Sequence, residues 1–109
     1  MNFRTEEDKK NVVALFEKKG YEPSEKELIL ALMTPALFSI FLDMEGVKEK
    51  GSFDSFILFT IGSISFFHND ILCVKCKKEI KTFDDVEVSF NAHGVSSSYH
   101  KKCAGEESK

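Results

Sequence analysis

Four residues near the C-terminus constrain this chain more than any others. Cys73 and Cys76 stand three positions apart, as do His100 and Cys103, with twenty-three residues between the two pairs. A two-residue gap lets one tight turn or one helical turn aim both side chains at a common point, so two such pairs supply the donors of a tetrahedral zinc ion. Thiolate is the ligand form, and three thiolates, a neutral imidazole and Zn2+ leave a net charge of about −1. Lys75, Lys77, Lys78, Lys101 and Lys102 crowd the same positions, where they offset the charge of the sulfurs. A closed Cys3His set has no open place for water. One structural Zn2+ that folds the C-terminal third is therefore expected, and hydrolytic chemistry is not.

Between the pairs the pattern is that of strands. Val86, Val88 and Phe90 alternate with Glu87 and Ser89, and Gly94, after Asn91 and His93, marks a turn into Val95, Ser97 and Tyr99. A knuckle, a hairpin and an HxxC that opens a short helix make the order of a treble clef. On Cys73, Cys76, the Tyr99-His100 dipeptide and Cys103, residues 71–105 resemble the first zinc-binding half of a LIM domain and related treble-clef fingers. The resemblance implies a structural zinc ion and a protein-docking module. Some metal-dependent nucleases also build a catalytic His and Asn on a treble clef, but they need further histidines on the following helix. None follows Cys103, so His93 reads as a solvated turn residue.

The preceding part of the chain is patterned for helices. Thr5 caps a first turn of Glu6, Glu7 and Asp8, and Lys18, Lys19 and Gly20 form a stop signal. Ser24 and Glu27 form a capping box ahead of a helix that is apolar on every side from Leu28 to Met33. Thr34 and Pro35 read as an N-cap and an N1 proline for a third helix, ended by Gly46. Ser52 then caps a stripe of Phe53, Phe56, Ile57, Thr60, Ile61, Ile64 and Phe67 at helical spacing; a strand pair turning at Gly62 and Ser63 is the rival reading. His68, Asn69 and Asp70 read as a polar segment end, which places a boundary between a helical part, 1–70, and a zinc module, 71–109.

Eight of the eleven Phe residues fall between Phe16 and Phe67. A segment that short leaves much of its surface exposed, so Phe38, Phe41, Phe56 and Phe59 are candidates for contact with a protein partner or a second copy.

Charge and apolar run length limit the other classes. The net charge is −3, which gives no general field for a phosphate backbone, and every basic residue but Arg4 is Lys, which leaves base reading poorly provisioned. The lysines at 75, 77, 78, 81, 101 and 102 keep a nucleic-acid-binding finger as the alternative. Cys73-x-x-Cys76 as a redox dithiol is a third reading, but it leaves His100 and Cys103 without a role. The longest nearly uncharged run, Leu28–Leu42, is interrupted by Pro35 and as a helix reaches roughly 22 Å, short of a hydrocarbon core of about 30 Å. An odd cysteine count and an N-terminus without a signal-peptide pattern predict a reducing, intracellular, cytoplasmic location. The expectation is thus an α+β protein, a non-enzymatic regulator or inhibitor that docks through a Phe-rich helical part and is stapled by zinc.

Overall fold

Local capping sets the helices where the sequence placed them. Helix α1 (Glu6–Lys19) begins with a complete capping box, in which Thr5 Oγ1 accepts from the Asp8 N–H at 3.1 Å and the Asp8 carboxylate accepts from the Thr5 N–H at 2.9 Å. It stops at Gly20, whose φ of 77° needs the left-handed region that glycine enters without a Cβ clash. Helix α2 (Glu25–Met33) repeats the device with Ser24 and Glu27. Every residue from Leu28 to Met33 is buried, as a stretch apolar on every side requires, and Glu27 is buried just ahead of it. Helices α3 (Pro35–Asp43) and α4 (Ser52–Ile61) follow.

The computed structural model describes residues 2–61, 71–90 and 96–107. After α4 come a 3-10 turn (Phe83–Asp85), strand β2 (Val86–Phe90), strand β3 (Ser96–His100) and helix α5 (Lys101–Glu107). The α+β class and the order of helices followed by knuckle, hairpin and short helix match the sequence expectation. A two-residue strand, β1 (Asn2–Phe3), does not: it adds antiparallel to β2 and gives a three-stranded sheet in the order β1-β2-β3. Ile64, Phe67, Gly62, Ser63 and the segment His68–Asp70 lie outside the described residues, as do Asn91, His93, Gly94 and Val95.

Thr34 and Pro35 take the N-cap and N1 positions of α3 as expected, and one cap assignment, Ser52, is corrected. Thr34 makes no capping bond to α3; its hydroxyl donates back to the Leu30 carbonyl at 2.7 Å, and Pro35 at N1 has no N–H to satisfy. Ser52 lies inside α4 and donates to the Glu49 carbonyl. The first N–H groups of α4 are served from elsewhere: Phe53 N–H donates to Tyr21 Oη at 3.1 Å and Asp54 N–H to Glu27 Oε2 at 3.0 Å. Tyr21 in turn donates to Glu27 at 2.5 Å, so one buried carboxylate joins the starts of α2 and α4. Helix α3 ends at Asp43, before Gly46, with Met44 as its C-cap.

One buried cluster takes residues from both ends of the chain, from Val12 and Phe16 through α2 to Cys73, Ile80, Val86, Val88, Tyr99 and Ala104. Helix α2 is its axis, packing on α1, α3 and α4 and on β2 and β3. The boundary at residue 70 therefore does not divide the core. Phe16, Phe38, Phe41 and Phe53 interlock with ring centroids 4.7 to 5.8 Å apart in tilted and edge-on pairs.

Candidate metal centre

The knuckle that carries Cys73 and Cys76 is a tight antiparallel loop. Leu72 bridges Glu79, the Ile80 N–H donates to the Ile71 carbonyl at 2.8 Å, and the Cys73 N–H donates to the Lys78 carbonyl at 2.9 Å. Lys77 sits at the tip with φ 65°, in the left-handed region. The turn brings the Cys76 N–H to 3.5 Å from Cys73 Sγ, so the first thiol is polarised by the backbone of the second. From the other side, β3 ends at His100 and α5 begins at Lys101, which places Cys103 one turn beyond the imidazole.

The ligand atoms of Cys73, Cys76, His100 and Cys103 all lie within 4.8 Å of one another. A tetrahedral ion with bonds of about 2.3 Å to sulfur and about 2.0 Å to nitrogen separates its ligands by roughly 3.5 to 3.8 Å. Cys76 Sγ and His100 Nδ1 are 3.2 Å apart. The four residues thus form a group able to hold one metal ion, and among the described residues this is the one such group containing cysteine or histidine. Cys73 is buried, Cys103 half-buried and Cys76 exposed, and none of the three forms a disulfide.

The imidazole is oriented by the knuckle itself. His100 Nε2 stands 3.0 Å from the Glu79 carbonyl, which can only accept, so Nε2 carries the hydrogen and Nδ1 turns its lone pair toward the sulfurs. The backbone of Glu79 is the participant that sequence reading missed. A carbonyl has no residue-type signature, and only the closed knuckle reveals it.

Electrostatics within the group favour one thiolate before the rest. Burial opposes ionisation of Cys73, but the backbone N–H groups of Cys76, His100 and Lys75 outweigh it and bring the thiol down to about 6. Burial likewise opposes charge on His100, yet the Glu79 carbonyl and the neighbouring Cys73 and Cys76 sulfurs raise its proton affinity. Cys103 is pushed up to about 11, by burial first and then by the two sulfurs it faces. Three sulfurs this close resist joint ionisation, and a divalent cation is the charge that reconciles them.

The lysines expected around the site are all exposed. Lys75, Lys78 and Lys102 border one depression of about 710 Å3, together with Cys76, His100, Cys103 and Asp85. Lys77 occupies the knuckle tip, and Lys101 approaches Glu6 at 3.8 Å. The four Phe candidates separate. Phe38 and Phe41 are 6% and 0% exposed, which corrects their assignment to a contact surface: the interlocked ring cluster buries them. Phe56 is half-buried, packed against that cluster at 5.8 Å from Phe41. Phe59 is 89% exposed.

The chain matches no family model, and no curated protein or solved structure is significantly similar to it. No helix among the described residues is long and apolar enough to cross a membrane.

Proposed function

We propose that this protein is a small, non-enzymatic interaction module whose C-terminal third is held by one structural zinc ion. The observation that carries the reading is the convergence of Cys73, Cys76, His100 and Cys103 within 4.8 Å, with the second imidazole nitrogen already committed to Glu79. Three thiolates and one imidazole suit zinc among the common divalent ions, and four protein ligands fill its tetrahedral shell. An ion so enclosed supports structure and has no position left for substrate. The adaptor role implied by the likeness to a LIM finger belongs to the same proposal. So does a reducing, intracellular setting, since the ligands are free thiols.

Phe59 is the contact residue this reading puts forward, because a fully solvated aromatic ring on a helix is the kind of anchor that interfaces desolvate. The partner is a protein, or a second copy of the chain. The test pairs metal analysis with a size measurement. The purified chain is expected to contain one zinc per chain and to lose self-association or partner binding on Phe59→Asp while keeping its fold. A chain free of metal, or a Phe59→Asp variant that assembles and binds as before, contradicts the proposal.

The grouping of Lys75, Lys78 and Lys102 around one depression supports a second reading, a nucleic-acid-binding finger. That reading requires affinity to fall by orders of magnitude between low and moderate salt, and to be lost in a Lys77→Glu, Lys78→Glu double variant. A redox role for the CxxC pair is less well supported. Cys73 has the lowered pKa of a reactive thiol, but it is fully buried, and attack on another disulfide needs an accessible sulfur.

A further inference from the structure

We propose that the metal centre governs the attachment of the N-terminal strand and first helix, so that the ion and the β1–α1 segment act as linked ligands of one hairpin. The inference rests on the zinc reading above and extends it to residues far from the ligand set in sequence.

The hairpin β2–β3 is gripped at two places. In one, His100 closes β3 directly opposite Val86 and enters the metal group. In the other, β1 pairs along the free edge of β2, Asn2 opposite Phe90 and Phe3 opposite Ser89, and the Arg4 N–H donates to the Val88 carbonyl at 2.7 Å. Side chains reinforce that edge. Phe3 meets Tyr99, the residue before the ligand His100, edge-on at 5.8 Å. Lys9, buried on α1, reaches the Glu87 carboxylate at 3.2 Å and lies 5.8 Å from the centre of the Phe83 ring. Glu87 is the register partner of Tyr99. Arg4 spans the junction, donating to the Leu32 carbonyl of α2 at 3.0 Å and lying 5.7 Å over Phe90.

The pairing with β2 and the Lys9–Glu87 contact both require a formed hairpin. Two strands alone are marginal in water, so the hairpin depends on what binds its edges and faces. Anything that binds the formed state and not the open one stabilises it, and two such ligands strengthen each other by the same factor. The ion therefore tightens the N-terminal segment, and by reciprocity that segment tightens the ion.

Zinc affinity of the full-length chain, read by competition with a chromogenic chelator, tests this directly. Lys9→Met keeps the stem over Phe83 and deletes the charge; Arg4→Ala deletes the clamp to α2 and Phe90. Each is expected to weaken zinc binding by about fivefold or more, while Lys10→Ala, on the exposed face of the same helix, stays within about twofold of wild type. Amide exchange gives a second readout that needs no variant: removal of zinc should speed exchange over residues 2–20 as well as over residues 71–107. Unchanged zinc affinity in both variants, or residues 2–20 that keep their protection when zinc is removed, overturns the coupling and leaves the zinc site standing. A wild-type chain that takes up no zinc overturns the site and the coupling together.

Discussion

The helical part and the metal module solve the same problem by different means. In the helices, four interlocked Phe rings and the buried Leu28–Met33 stretch of α2 remove apolar surface from water, and the result is spread over many weak contacts. In the module, the knuckle and the start of α5 bury little besides Cys73, Ile71, Ile80 and Ala104, and four side chains able to hold one metal ion converge there instead. The first arrangement fails gradually under substitution. On the zinc reading proposed above, the second fails at once when one ligand goes, because a single ion would hold the ends of two separate chain segments. The two parts nevertheless share α2 and the β1–β2 edge, so damage to either is felt in the other.

The largest expected effect therefore lies in the module. Cys76→Ser should lower zinc affinity by orders of magnitude and abolish cooperative melting of residues 71–107, read by metal analysis and calorimetry. If the variant keeps its ion and its melting curve, the contrast between the two parts disappears. Next comes the ring cluster. Phe53→Ala removes a fully buried ring and should cost about 3–5 kcal/mol in denaturant unfolding, with zinc stoichiometry unchanged in the fraction that remains folded.

A smaller effect follows from the polar joint between α2 and α4. Burial pushes the Tyr21 hydroxyl up to about 12, and its bond to Glu27 adds to the shift. A group whose pKa rises on folding contributes stability that is complete below its ordinary value of 10 and is lost as pH climbs through about 12. Denaturant midpoints should fall across that window in wild type, and the decline should be shallower in Tyr21→Phe. Equal slopes would place the joint outside the stability balance. The smallest effect is at the knuckle tip. Lys77 holds a φ of 65°, so Lys77→Gly should relieve strain of about 1 kcal/mol and raise zinc affinity modestly; a loss of affinity would show that the lysine side chain matters more than its backbone.

The contrast also explains what could be read in advance. The ligand set was legible because its chemistry restricts residue types, and two fixed spacings specify a point in space without knowledge of the rest. The caps of α1 and α2 were legible because Thr5–Asp8 and Ser24–Glu27 are local pairings written within four residues. What stayed hidden depends on distant partners. Strand β1 has two residues and no periodicity, and exists because the edge of β2 is there to receive it. Ser52 looked like a cap, but Tyr21 and Glu27 do that work from across the core. Phe38 and Phe41 differ from Phe59 in no sequence property; only the packing of α1, α2 and α4 decides which ring is inside.

X-ray absorption at the zinc edge on the purified chain measures the central bond set itself. The account predicts one zinc per chain with three sulfur neighbours at about 2.3 Å and one nitrogen at about 2.0 Å. A chain without metal whose cysteines are joined in a disulfide, or a zinc ion coordinated mainly by oxygen, would contradict it.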